Sequence, residues 1–572
     1  MIDVSVFKGM APRVSPGLLE PQQGVSVTGR ATSGELRPWQ AAHKVADCAA
    51  DTQGIYKTDT GDWLAFSEPV SMVQSPNAND AFGRLYYTRE SGGLFVVSPL
   101  DGYVELMVGV PKPPLSPDVT VSGEPTDPES TIEDRVYVIT YVNDWGEEGP
   151  PSDPTDFYEW QEGQTVTLSN FPVPPIGFKE VVAIRIYRMA VGDNLAEWFF
   201  VDEIMADTAT YEDTVGDILL IQGTLSTSET DLPQLEGRGL TAMGGGVFAT
   251  FEGNELAFSE PFLPYSWPDG YRLSLAGHVV ALGFAGGVLV VLTTRHVWLV
   301  YGGHPESYAL SRQTEVAPCI SPRGVVSTEM GVLFPAPDGL RAVTGNSPST
   351  LLTHRLCTSK EWVALFDPLH LTGAYHSGIY YGFHPLGGFA LDMRSEVLTQ
   401  TDALADAVFV DGLSLYFAAN GSILEWDAGG GFLRARFLSK VFTTPKPVSL
   451  SAARVDAATD AVALLVEAWI DQFRAANLDM TADGGEVGGV EVGGLSVAGD
   501  ALHDPLLSIG DRPVVRMMVF ADGLKVFEQQ VPVGRCFRLP GGFLAREWQF
   551  FVETPAPLKR VSMNTSVRAI TG

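Results

Sequence analysis

Few side chains in this sequence stand at the spacings that chemistry requires. Nine histidines are spread over 572 residues. The densest group is His370, His376 and His384, six and eight residues apart. Alternating strand faces could bring two such imidazoles onto one metal ion. No Cys or carboxylate stands at a matching ligand spacing, so separate histidines on neighbouring strands or loops are the simpler reading. Asp59, Asp62, Asn77, Asn79 and Asp80 offer oxygen ligands for calcium, but the twelve-residue loop pattern is absent. Cys48, Cys319, Cys357 and Cys536 contain no CxxC pair, which leaves a zinc site without support. Gly244-Gly245-Gly246 precedes a strand and not a helix, so it lacks the helix N-terminus that cradles phosphate. There is no GxSxG elbow, HExxH, Walker loop or GxGxxG after a strand.

A glycosidase needs two acids roughly 5–10 Å apart. The chain has 69 acidic residues, so the sequence neither assigns nor excludes such a pair. The Ser-x-Asp-x-Gly-x-Thr-Trp boxes of propeller sialidases are missing. Glu147-Glu148 and Asp511-Arg512 read as solvated turn residues. No catalytic residue, metal or cofactor is expected, and the chain is not expected to be an enzyme.

The elements that would position any site are β-strands. Gly (60) and Pro (39) are both abundant, and short apolar runs alternate with Gly, Asp-Gly and Pro. The best helix candidate is Ala463 to Asn477, although its Val-rich start reads as a strand. The most apolar stretch, Val279 to Val300, is broken by glycines, Arg295 and His296, so it fits two buried strands better than a membrane span. No leader segment is expected from the N-terminus, and scattered thiols suit a reducing compartment. The 37 basic residues against 69 acidic ones give a net charge of −32. Such a balance argues against a protein that grips nucleic acid by neutralising phosphates.

An internal repeat is visible. Leu64-Ala65-Phe66-Ser67-Glu68-Pro69 recurs as Leu256-Ala257-Phe258-Ser259-Glu260-Pro261. After the second copy, strand pairs follow at Gly246–Phe258, Gly287–Val300, Gly331–Val343, Gly378–Leu391 and Val408–Trp426. Their starts lie 30 to 47 residues apart, close to the period of propeller blades. A generic sandwich with regular hairpins is the competing reading.

The expected class is all-β: a β-propeller with an inserted immunoglobulin/fibronectin III-like sandwich and a C-terminal β-sandwich-like domain. Residues 1–45 read as an N-terminal arm, and 46–112 with 219–430 as a discontinuous propeller. Residues 113–218 read as the insertion, placed within a blade, and 431–572 as the C-terminal β domain. The insertion opens after a Pro-rich stretch and alternates through Val136 to Val142 as a half-buried strand does. Its Tyr-Val-Asn-x-x-Gly-Glu-Glu-Gly-x-Pro-Ser run and Ile-Tyr-Arg strand resemble a fibronectin type III module. The C-terminal part includes strands around Val448–Val455, Val462–Ile470, Val514–Phe520, Lys525–Val531 and Trp548–Val552. It also holds the Gly-rich stretch Gly484–Gly499.

One resemblance bears on function. The stretch Phe7-Lys8-Gly9-Met10-Ala11-Pro12-Arg13 leads to Leu18-Leu19, then Ser33-Gly34-Glu35-Leu36-Arg37-Pro38. The Phe-Ser-Glu-Pro unit is followed by Pro264, Tyr265 and Trp267. The chain ends with Leu539-Pro540-Gly541-Gly542-Phe543, Arg546, Trp548 and Val561-Ser562-Met563. Together these resemble tail nozzle proteins, the tail tubular protein B type, of short-tailed bacteriophages. Gly24 to Thr28 departs from the pattern, lacking its Ala-rich, Asn-containing segment.

The resemblance implies a structural virion protein in the tail, assembled in the host cytoplasm. It implies a homo-hexamer that closes the tail tip, docks on the adaptor ring and contacts a tail fibre or tailspike. Genomic DNA would be retained and then pass through without sequence-specific binding. Six chains would carry six times −32, or −192. Such charge lining a channel would repel the DNA backbone, or else it serves solubility alone. Phe7, Met10, Trp39, Trp145 and Trp160 are the interaction candidates. Trp145, in an Asn-Asp-Trp-Gly turn, is expected to be exposed unless a partner covers it, whereas Trp198 suits a sandwich core. Long propeller loops or Gly484–Gly499 could narrow the channel. The alternative is a glycan-binding or glycan-degrading β-propeller protein.

Overall fold

A computed structural model describes residues 1–31, 33–191, 196–215, 223–345, 347–458 and 514–571. The expected Ala463–Asn477 helix, the Val462–Ile470 strand, Gly484–Gly499 and Asp511-Arg512 lie outside the described residues. The architecture is all-β and multi-sheet, and it resembles a β-propeller.

Seven sheets stand side by side. The first is the two-stranded hairpin Gly54–Lys57 and Trp63–Phe66. The second runs from Val70–Gln74 to Leu106–Met107, and the third from Arg238–Ala242 to Arg272–Ser274. The fourth runs from Val279–Ala285 to Ala309–Val316, the fifth from Val326–Thr328 to Thr350–Leu351, and the sixth from Thr372–His376 to Val397–Thr401. The seventh begins at Ala407–Asp411, and His43–Asp47 supplies its fourth, outermost strand. Innermost strands of neighbouring sheets touch all the way round, and the seventh meets the first, so the ring is closed. The seventh sheet is therefore closed by a strand from the opposite end of the chain.

Local chemistry accounts for these hairpins. Val288–Thr293, in the middle of the fourth sheet, is apolar throughout except its last residue, and all six residues are buried. It has neighbouring sheets on both faces, so it does not alternate. The turn joining Ser414–Ala419 to Ser422–Glu425 places Asn420 and Gly421 at φ of 51° and 75°. Positive φ at both central residues matches the twist of the flanking strands, and Asn-Gly tolerates it best. One helix, Ser359–Phe366, was not expected. Thr358 and Glu361 form a reciprocal cap at its start, while Trp362 and Phe366, one turn apart, are buried against Phe389.

The segment expected as an insertion lies in the connection between the second and third sheets, not inside one sheet. It forms a three-stranded sheet of Asp118–Ser122, Thr165–Ser169 and Thr210–Asp213. A second has Tyr137–Asn143, Val181–Val191 and Ala196–Met205, and a small pair joins Glu133–Arg135 to Tyr158–Trp160. Val119, Val166 and Leu168 of one sheet share a core with Tyr137, Ile139, Ile184 and Ile186 of the other.

The chain ends are woven together. Ile2–Val4 pairs with Leu558–Asn564. Gly24–Thr28 pairs antiparallel with Ala435–Ser439, and Thr28 bridges in parallel to Gln400 of the sixth sheet. This arm strand therefore splices the sixth sheet into the C-terminal strands Ala545–Thr554, Val514–Ala521 and Leu524–Pro532, giving one ten-stranded sheet. A single core runs through the arm (Phe7, Met10), the fifth and sixth sheets (Leu333, Phe389) and the C-terminal strands (Met517, Phe550).

Candidate functional site

The opening segment is a fastener built from isolated apolar side chains. Phe7 is fully buried and meets Phe437 edge-on, ring centres 5.0 Å apart. Burying a side chain of that size stabilises by about 1.5–3 kcal/mol. The backbone N–H of Met10 donates to the carbonyl of Leu398 at 2.8 Å, and its side chain is buried. Gly9 lies so close to the backbone of Leu398 that a Cβ there would collide with it. Trp39 packs against Tyr381 and Trp426, with the Arg30 guanidinium 4.9 Å above its ring. Asp427 then accepts from the Gln40 N–H at 2.6 Å and pairs with Arg30 at 3.1 Å. Burial pushes the Asp427 carboxyl up, and these two partners oppose that. The three arm candidates thus face the interior of their own chain.

Trp145 is half-buried, covered by Arg84 and Phe82 of the ring and by Lys179 of its own segment. Its ring sits 5.3 Å from the Arg84 guanidinium, 5.0 Å from the Lys179 ammonium and 6.0 Å from Phe82. Lys179 also bonds Asp101 at 2.8 Å, and Arg84 bonds both Asp80 at 2.9 Å and Glu147. This lock joins the inserted segment to the second sheet. Trp160 is also half-buried; Arg135 stacks 3.5 Å over it, and its Nε1 donates to the Gln164 carbonyl.

Glu147 and Glu148 correct the reading as solvated turn residues. Both are buried, at 6% and 8% exposure. Glu148 accepts from Thr140, Tyr187 and Arg185. Glu147 accepts from Arg84 and from Asn143 Nδ2 at 2.8 Å. Burial raises the Glu147 pKa, and Arg84 and Asn143 offset only part of that. Sequence reasoning missed this pair because its cation, Arg84, lies 63 residues away. The Asn143 side chain that caps the turn was the available local signal.

The histidines do not converge. His376 ends the strand Thr372–His376 and pairs with Ile379, whereas His384 lies at the far end of the next strand, Ile379–His384, and pairs with Gly387. His370 bonds Asp367 at 2.9 Å on the surface. Of the calcium candidates, Asp80 is held by Arg84, Asp59 accepts from Gln74, and Asp62 accepts from Thr60. Among the described residues no group of three or more His, Cys, Asp or Glu could hold a metal ion. No helix among them is long and apolar enough to cross a membrane.

On the ring axis lies a cavity of about 430 Å³, walled by residues from six of the seven sheets and by Pro322, Arg323 and Val325, just ahead of the fifth. Its charged lining is Arg89, Glu90, Arg238 and Arg323, set among apolar side chains such as Ile55, Val70 and Leu282.

No family model matches the chain, and no curated protein matches it. Among solved structures it is similar to Sqt1 of Saccharomyces cerevisiae, at 7% identity and a TM-score of 0.30, covering 68% of this chain and 98% of that one. It is similar to BBS1N in its complex with ARL6DN, at 8% identity and 0.29, covering 68% and 96%. It is also similar to BamB from Moraxella catarrhalis, at 11% and 0.28, covering 70% and 96%. Likeness this distant says nothing about function.

Proposed function

We propose that this chain is a structural tail protein of a short-tailed phage, the subunit of a hexameric nozzle. In this reading the hexamer closes the tail tip, retains packaged DNA and opens for ejection. It docks on the adaptor ring, touches a tail fibre or tailspike, and performs no catalysis. Residues 113–218 are then a fibronectin III-like module and 431–572 a sandwich-like domain, both placed at the periphery for contacts.

One observation carries the reading. The residues of the opening segment that resemble tail proteins are the ones that fasten the molecule. Phe7, Gly9, Met10, Leu19 and Leu36 are buried, and Gly9 and Met10 sit against Leu398 of the sixth sheet. The resemblance therefore falls in part on residues that the fold needs buried, although Leu18 is exposed. The net charge of −32 adds support, because an acidic channel would not hold DNA.

The test is the mass of the purified chain in solution, with and without the adaptor protein, followed by negative-stain imaging. A six-fold ring, alone or on the adaptor, is the expected result. A monomer that ignores the adaptor and releases sugar from, or binds, surface polysaccharide overturns it. That result would establish the alternative, a glycan-binding or glycan-degrading propeller protein.

A further inference from the structure

The axial cavity has a charge opposite to that of the chain around it. Three arginines and one glutamate line it, in a molecule of net charge −32. The arginines differ in what they already hold. Arg89 is committed: it pairs with Glu105, lies 3.7 Å from Glu68, and stacks on Phe95. Arg323 is half-buried, and its guanidinium donates to two neutral acceptors, the carbonyls of Gln53 (3.3 Å) and Asp406. Burial pulls its pKa down, while the charges of Glu90 and Asp406 work the other way. Arg238 is exposed, and its side chain has no hydrogen bond or ion pair to any described residue. A guanidinium carries five N–H donors in a planar fork that matches a carboxylate or a phosphate. Arg323 keeps donors in reserve, and Arg238 keeps all of its own.

A volume of about 430 Å³ falls within the range of small-molecule sites, roughly 300–1,000 Å³. Apolar walls with a few convergent polar groups are what such sites have in common. Low-dielectric walls also strengthen any charge-assisted bond made inside.

We propose that the axial cavity binds a small ligand carrying one anionic group, a carboxylate or a phosphate, held between Arg238 and Arg323. The ligand could come from an acidic sugar of a surface polysaccharide or from free or esterified phosphate. The site belongs to each single chain, so it stands or falls independently of the hexamer.

The experiment is isothermal titration of the full chain at low ionic strength with D-glucuronate, inorganic phosphate and D-glucose. Saturable one-to-one binding of at least one anion is expected, with no binding of glucose. Binding of glucuronate alone assigns the carboxylate source, and of phosphate alone the phosphate source. Arg238→Ala is expected to weaken it at least tenfold, and Arg238→Glu to abolish it. Arg238 carries the test because its side chain makes no hydrogen bond or ion pair to any described residue, whereas Arg323 ties two loops together. No saturable binding of either anion below about 10 mM, far weaker than ordinary ligand affinities, overturns the proposal. So does binding left unchanged by Arg238→Ala.

Discussion

Among the least visible residues in the sequence are two neighbours, Glu147, which holds the inserted segment to the ring, and Glu148, which ties that segment to itself. Glu147 and Glu148 look like solvent-facing turn charges until Arg84, Arg185 and Tyr187 arrive from elsewhere in the chain. Arg84 serves two carboxylates and one indole while being 8% exposed itself. Removing one partner of a buried charge cluster strands the rest without compensation. Arg84→Met is therefore expected to destabilise the lock by about 3–5 kcal/mol, against about 0–1 kcal/mol for a surface pair. Denaturant unfolding, with hydrogen exchange at residues 80–89 and 141–149, measures it. Glu147→Gln should cost less, because burial already favours the neutral carboxyl and an amide oxygen still accepts from Asn143 and Arg84. A loss below about 1 kcal/mol for Arg84→Met would show that the lock contributes no more than an exposed ion pair does.

At the scale of elements, the hairpins were legible and the closures were not. Asn420-Gly421 and Asp522-Gly523 announce tight turns, and both flank paired strands in the structure. The pairs begun at Gly287, Gly331 and Gly378 correspond to strands in three consecutive sheets. His43–Asp47 was hidden because its pairing partner, Ser422–Glu425, lies some 375 residues later. The Ser359–Phe366 helix was hidden because eight residues are too few to show periodicity, although Thr358 and Glu361 spell a cap. The pairing of the first and last strands gives a pH prediction. Asp3 binds Arg560 through two oxygens at 2.7 and 2.9 Å, and also accepts from Ser562. Burial raises its pKa, but those hydrogen bonds outweigh burial and hold it below the ordinary 3.8. A carboxyl lowered in the fold stabilises fully above its unfolded value and loses that effect as pH falls through the folded one. Asp3→Asn should therefore be less stable than the parent at pH 7, by a margin that shrinks as pH falls through the folded value. A difference that persists unchanged at acid pH would rule out ionisation of Asp3 as the source.

For the whole molecule, the sequence reading divided the chain into an arm, a ring, an insertion and a tail domain. Packing ties three of these together. Phe7 from the arm, Phe389 from the ring and Phe550 from the C-terminal strands belong to one core, so this body should move as a unit in any assembly. That makes charge the dominant long-range term between copies. Each chain carries −32, and like charges on neighbouring subunits repel over a distance set by the salt. The screening length is about 10 Å at 0.1 M salt and about 3 Å at 1 M. If six copies assemble through apolar and hydrogen-bonded contacts against that repulsion, added salt should strengthen the ring. Sedimentation velocity from about 0.02 M to about 0.5 M sodium chloride, spanning screening lengths from over 20 Å to under 5 Å, reads this directly. A hexamer fraction that rises with salt is the expected outcome. A hexamer that falls apart as salt rises would mean that ion pairs hold the interface and that the acidic surface faces basic patches on its neighbours. In that case the surplus negative charge would be neutralised at the contacts, and the argument that it keeps DNA off the channel wall would fail with it.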